Sequence, residues 1–513
     1  MTAPGPPAAK PPDTPRPASL RLQAVANVAG NLSLNVVFFL LTPLALRRLG
    51  EDGWGIWQIV SATTAYAMQV NLGLGTAIHQ QVAYQVARRD WSQLARAFTG
   101  GRLYLASAGA LLIVLVAAFG RPLAASLVEP EHAELAFTAL VLTIGLTAVT
   151  LPFRLFPSAL MGLQRGDLWG LVQVICSLLL FGAVWLGFAR GMELPGFALV
   201  MTSGPLLAAV PCWLLVRRLL PREALAWRLP SRALLREVVG FGLSTLVFVL
   251  GTVVLYQTMK FVAAWRCGGA EAAGRMGLAV SIVHMVGTLV TPLVVTLHAR
   301  FGQLHGEGRR EDARALFERG LAVTALLVVP GTLFLMVDAR EVFEAWVGGA
   351  VAPGVVSELA RTARWMLLGQ GLYLVALPGY YARVGAGEHR AFGFAMLVAA
   401  AVNAGLGFFV TGFEARIEVL GAVFGLVVGV LSLGVTLPLA LRRLPIPLGR
   451  LVTRVLLVPL AAALPGIAAV WWNGSCGHPV LDLASDAVLF GLLTAPGLEW
   501  ARRRIVQSDP GRG

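Results

Sequence analysis

At 513 residues, 57% hydrophobic and only 13% charged, the chain is too apolar for a soluble protein, which carries about 25% charged residues. Its mean hydropathy of +0.73 comes from apolar runs spread along the whole length. That excludes a single-anchor protein and a β-barrel, whose strands read as short alternating segments.

Residues 1–19 hold seven prolines (Pro4, Pro6, Pro7, Pro11, Pro12, Pro15 and Pro17) and are expected to be a disordered tail. They lack the apolar core of a cleavable signal, so the first membrane helix is expected to remain as an anchor. From there the apolar runs predict an all-α polytopic membrane protein with fourteen spans, near 24–46, 54–75, 103–120, 133–153, 168–189, 196–216, 238–265, 276–298, 317–337, 360–381, 391–412, 419–441, 452–472 and 482–500. Pro465 interrupts the thirteenth, and Asp482 and Asp486 dilute the fourteenth.

Arginine placement sets the expected orientation. With the N-terminus in the cytoplasm, the basic links, such as Arg88-Arg89, Arg217-Arg218, Arg309-Arg310 and Arg442-Arg443, all fall inside. Inner basic residues then outnumber outer ones by about three to one, and both termini are cytoplasmic. This also accounts for the formal net charge of +14 without invoking nucleic acid.

No link is long enough for a folded extramembrane domain. The link at 217–237 carries six arginines and reads as a linker between an N-terminal six-helix lobe at 20–216 and a C-terminal one at 238–441. Two further spans occupy 442–500, and 501–513 is a basic tail. The lobes look like parallel repeats. Leu151-Pro152 precedes Gly162-Leu163-Gln164-Arg165-Gly166-Asp167, and Leu377-Pro378 precedes Gly385-Ala386-Gly387-Glu388-His389-Arg390. Arg88-Arg89-Asp90 before Leu94-Ala95-Arg96-Ala97-Phe98 has a counterpart in Arg309-Arg310-Glu311-Asp312 before Ala313-Arg314-Ala315-Leu316-Phe317. Repeats of this kind build transporters, with the substrate site at their interface.

Cys176 and Cys212 fall inside apolar spans as small hydrophobes. Cys267 and Cys476 fall in links on the expected outer side, and whether they pair stays open. No cysteine or histidine spacing resembles a metal site.

Three motifs carry a family resemblance. Leu49-Gly50-Glu51-Asp52-Gly53-Trp54-Gly55-Ile56-Trp57 looks like an "LG…YG.W" turn between the first two helices. Asn71-Leu72-Gly73-Leu74-Gly75-Thr76-Ala77 looks like a "DLGL..A" exit, and Gly162-Leu163-Gln164-Arg165 is similar to a "G.QR" loop. With the 6 + 6 + 2 arrangement, the chain resembles the polysaccharide-export (O-antigen) flippases of the multidrug/oligosaccharidyl-lipid/polysaccharide exporter superfamily over about residues 20 to 500. The resemblance implies two lobes around a central cavity. It also implies translocation of an undecaprenyl-pyrophosphate-linked oligosaccharide across the bacterial inner membrane, for O-antigen, capsule or exopolysaccharide assembly. Polysaccharide polymerase and glycosyltransferases are the partners it suggests. The chain departs from the pattern where Asn71 replaces the usual Asp and Gln80, beside His79, replaces a basic residue.

A lipid-linked sugar needs a path with a few cations, many neutral polar groups and no fixed anions. Asn27, Asn31 and Asn35 recur every four residues in the first span, and either line the path or bond neighbouring helices. Lys260, with Tyr256 and Gln257 on its face, either contacts substrate or snorkels to the interface. His284 lies in a seam with Gly277, Ser281, Thr288 and Thr291, and Gln370, Tyr373 and Tyr380 form a comparable stripe in the tenth span. Arg154 and Arg383 follow the Leu-Pro pairs and, with Lys260, are candidate pyrophosphate contacts; topological charge is the alternative for the two arginines.

Nothing in the sequence indicates an enzyme or a cofactor: there is no G-x-x-x-x-G-K-[ST] loop, nucleophile elbow or catalytic carboxylate pair. The rival readings are a lipid II flippase, an ion-coupled multidrug exporter and a membrane glycan-processing enzyme.

Overall fold

The computed structural model describes residues 19–71, 73–386, 388–473 and 477–507. Among them the chain is built of helices with no strand. The first half runs α1 (Leu20–Ala67), α2 (Leu74–Arg88), α3 (Trp91–Leu127), α4 (Ala133–Thr150), α5 (Leu155–Gly162), α6 (Gly166–Ala189), α7 (Leu194–Thr202) and α8 (Gly204–Leu219). The second runs α9 (Arg232–Cys267), α10 (Gly269–Gly306), α11 (Arg310–Val337), α12 (Ala339–Val347), α13 (Val355–Gly385), α14 (His389–Val410), α15 (Ile417–Val430) and α16 (Leu437–Arg443). α17 (Leu448–Leu451), α18 (Val458–Trp472) and α19 (Pro479–Gln507) follow.

Each of the fourteen expected spans falls on one or two of these helices. Eleven helices among the described residues are long and apolar enough to cross a membrane. The count is lower because the first two spans share α1 and because α9 and α13, which carry the seventh and tenth, are outside the eleven. The possible Cys267–Cys476 pair lies partly outside the described residues.

Local chemistry sets the breaks. Gly50, with φ 75° and ψ 176°, interrupts α1 in a region of backbone space open essentially to glycine alone. That is the turn the sequence placed between the first two spans. At the end of α1, Asn71 Oδ1 accepts from Gly73 N–H at 2.9 Å, and Gly73 takes the left-handed φ of 68° before α2. An aspartate and an asparagine serve such a turn equally, so the departure at Asn71 keeps the exit geometry. Asp90 caps α3 by accepting from Gln93 N–H.

α1 packs on α6, α3 on α4 and α2 on α5 in the first half; α10 packs on α13, α9 on α14 and α13 on α15 in the second. α18 and α19 pair with each other and lean on α11. The halves meet mainly where α1 crosses α10. There a methyl group at Gly55 would collide with the Ala270 carbonyl, so only glycine lets the backbones approach this closely.

Candidate functional site

A cavity of about 290 Å³ lies between the halves. From the first half it is lined by Asn35, Phe38 and Phe39 and, beyond the Gly50 break, by Gln58 and Ser61. From the second half come Tyr256, Gln257 and Lys260 of α9, Ser281 and His284 of α10, and Trp346 of α12. Spacing explains the convergence: residues three and four apart on a helix share a face.

Lys260 is 6% exposed and has no ionic partner among the described residues. Tyr256 packs edge-on to His284, ring centroids 5.8 Å apart, and its hydroxyl donates to Gln370 Oε1. Among the described residues, none that lines the cavity is an aspartate or glutamate. An ammonium buried without a counter-ion is expensive unless an anion or water meets it; here it is set among neutral donors, acceptors and aromatic faces.

At the Gly50 end the cavity is capped. Trp346 stacks on Phe39 at 4.5 Å and donates from Nε1 to the Phe39 carbonyl at 2.8 Å. Beyond it, Arg275 Nη2 reaches Glu51 at 3.1 Å and Glu271 at 2.9 Å, while Nη1 lies 3.6 Å from Glu358. Glu51 also accepts from Ala352 N–H at 2.9 Å. Glu51 comes from the first half and the other groups from the second, so this cluster ties the halves together.

Of the residues singled out from sequence, Asn35, Tyr256, Gln257, Lys260 and His284 therefore share one cavity. Gln370 stands behind it, holding the Tyr256 hydroxyl. Tyr373 packs in the adjoining apolar core, and Tyr380 lies further along α13 against Tyr381 and Phe392. Asn31 and Asn35 donate to the α1 carbonyls four residues back. Asn27 Nδ2 instead faces Met161 Sδ in the first half. Arg383 is ion-paired with Glu388 at 2.6 Å, and Glu388 also meets Arg443. Phe38, Phe39, Gln58, Ser61 and Trp346 were not anticipated. Gln58 carried a legible signal, a buried amide in an otherwise apolar run. Trp346 had none, because α12 lies in what read as a link between spans.

Arg154 lines a different cavity. It measures about 550 Å³ and lies wholly within the first half, among α1, the α1–α2 turn, α2, α3, α5, α6, α7 and α8. α1 is the partition: Leu34 faces this cavity and Asn35 the central one.

No family model matches the sequence, and no curated protein matches it. Solved structures do. An inward-facing multidrug-resistance MATE transporter of the MOP superfamily aligns with a TM-score of 0.70 at 15% identity, covering 82% of this chain and 94% of that one. Lipid II flippase MurJ in an inward closed conformation gives a TM-score of 0.70 at 11% identity, covering 95% and 100%. The chain shares the MATE–MurJ fold. A MOP-superfamily transporter from Pyrococcus furiosus, described as having a binding pocket of reversed polarity suggestive of a different function, aligns at TM-score 0.59 and 14% identity, covering 84% and 99%. At these identities the likeness establishes the fold alone, a multi-pass helical membrane architecture.

Proposed function

We propose that the protein is an alternating-access flippase that carries an undecaprenyl-pyrophosphate-linked oligosaccharide across the bacterial cytoplasmic membrane for surface-polysaccharide assembly. The observation that carries this reading is the central cavity: one buried ammonium, Lys260, unpaired among the described residues and set among neutral polar and aromatic groups drawn from both halves, with no carboxylate in the described lining. A pyrophosphate needs the cation and a sugar needs the amides and hydroxyls. A cationic drug would want the opposite charge, which weighs against a multidrug exporter.

In this reading the arginine distribution puts the Gly50 end outside. The Arg275 cluster and the Trp346 cap then form the closed outer gate of an inward-accessible state. The substrate enters from the cytoplasmic leaflet, where glycosyltransferases complete it, and leaves toward a polymerase.

The test is leaflet accessibility of labelled lipid-linked oligosaccharides in proteoliposomes, with lipid II and a cationic dye as parallel substrates. Movement of an undecaprenyl-pyrophosphate oligosaccharide alone is the expected result. Movement of lipid II or the dye instead, or glycan turnover in detergent, would replace the proposal with the corresponding rival.

A further inference from the structure

The first-half cavity has a composition that the central site does not explain. Its walls are mostly apolar, formed by side chains such as Leu34, Leu105, Leu180 and Met201, with Asn71, Ser158, Gln173 and Ser177 as neutral polar groups. Among the described residues Arg154 is its one charge, and none that lines it is acidic.

The structure gives Arg154 neither an ion pair nor a side-chain hydrogen bond to a described residue. Its Nε is buried with no partner. Three other half-buried arginines do have ion pairs: Arg165 with Asp167 at 3.0 Å, Arg383 with Glu388 and Arg454 with Glu318 at 2.9 Å. Gln173 Oε1, in the same wall, is also buried without a partner.

Arg154 is half-buried, and a guanidinium held against apolar walls with nothing to pair it favours an anion that can. Its planar fork matches a phosphate. A volume of 550 Å³ falls within the ordinary range for ligand pockets, and the apolar walls offer burial to a hydrocarbon chain.

We propose that this cavity is a second binding site, separate from the central one, for the phosphate and proximal chain of a lipid phosphate, with Arg154 as the phosphate ligand. The proposal does not depend on what the central cavity carries. Asn71 is part of it: an acidic residue there would place a carboxylate in the same cavity as Arg154.

The test uses the full-length protein in detergent, following fluorescence that is lost in Trp169→Phe, since Trp169 lines the cavity. The ligands are undecaprenyl phosphate, uncharged undecaprenol and inorganic pyrophosphate. Undecaprenyl phosphate is expected to bind and raise the unfolding temperature. Arg154→Gln should weaken that binding by about tenfold or more while the unliganded variant unfolds at the same or a higher temperature, because a half-buried charge with no pair has been removed. Arg154→Lys should retain part of the affinity, and Asn71→Asp should lose it with the turn intact. Arg121→Gln, which removes an exposed charge paired with Glu134, controls for net charge. Equal affinity in Arg154→Gln, or equal binding of undecaprenol, would overturn the assignment. Binding of pyrophosphate as tight as that of the lipid would overturn its lipid part and leave a soluble-anion site.

Discussion

Lys260 is one of two lysines in the chain, the other being Lys10 in the proline-rich tail, and its ammonium is buried beside Tyr256, Gln257 and His284. If it meets a migrating pyrophosphate, charge matters more than shape. Lys260→Arg should keep transport within a few-fold, while Lys260→Ala should lose about tenfold or more, read as initial translocation rate in proteoliposomes. Equal rates in the two variants would assign Lys260 to a structural role. The residues of this site that were legible in the sequence obey one rule, a polar group recurring at three- or four-residue steps within an apolar run. The asparagine stripe shows where the rule fails. Each four-residue step advances about 40° around the helix, so Asn27 lies far enough round from Asn35 to face α5 instead of the cavity. Which cavity a polar residue lines depends on helix rotation, and that is set by contacts such as Gly30 against Gln173 and Gly170, which one sequence does not announce.

At the scale of elements, long apolar helices were the easy part, because each apolar run maps onto helix. The short helix α12 was not, although it supplies the cap over the cavity. α12 also carries a pH-sensitive junction. Asp338, at its start, is 3% exposed, its Oδ2 has no partner, and it faces the C-terminal pair through a cavity shared with Asp486. Burial, and then the negative charges of Asp486 and Glu341, push its carboxyl up to about 7. A folded-state value above the unfolded one means that folding takes up a proton. Stability from this group is therefore greatest below the ordinary carboxylate range, falls as pH climbs toward 7, and is flat above. The unfolding temperature should drop between pH 5 and pH 8 in the parent protein and drop less in Asp338→Asn, measured by differential scanning fluorimetry. Parallel slopes for the two proteins would show that other groups govern the pH response.

For the whole molecule, the question is what keeps the two halves together at the Gly50 end. Two physically different devices act there. One is steric: Gly55 and Gly274 bring the backbones of α1 and α10 into contact, and a side chain at Gly55 would meet the Ala270 carbonyl. The other is electrostatic: Arg275 bridges Glu51 of α1 to Glu271 of α10 and Glu358 of α13. The first cannot be relieved without moving a helix, since the obstacle is backbone. The second is partly exposed and screened, so it contributes modestly and serves better to set which end is shut than to hold the fold. The two should therefore separate experimentally. Gly55→Leu should drive the halves apart at this end and shift the population toward the opposite state. Arg275→Gln should shift it in the same direction by less, on the order of 1 kcal/mol, and more weakly still at high salt. Spin labels replacing two exposed residues, Arg48 on α1 and Ala352 just before α13, read as distance distributions in nanodiscs, would report the change. If Gly55→Leu left the short-distance population intact, this end would be a fixed seam and not a gate, and the protein would have to admit and release its cargo from one side.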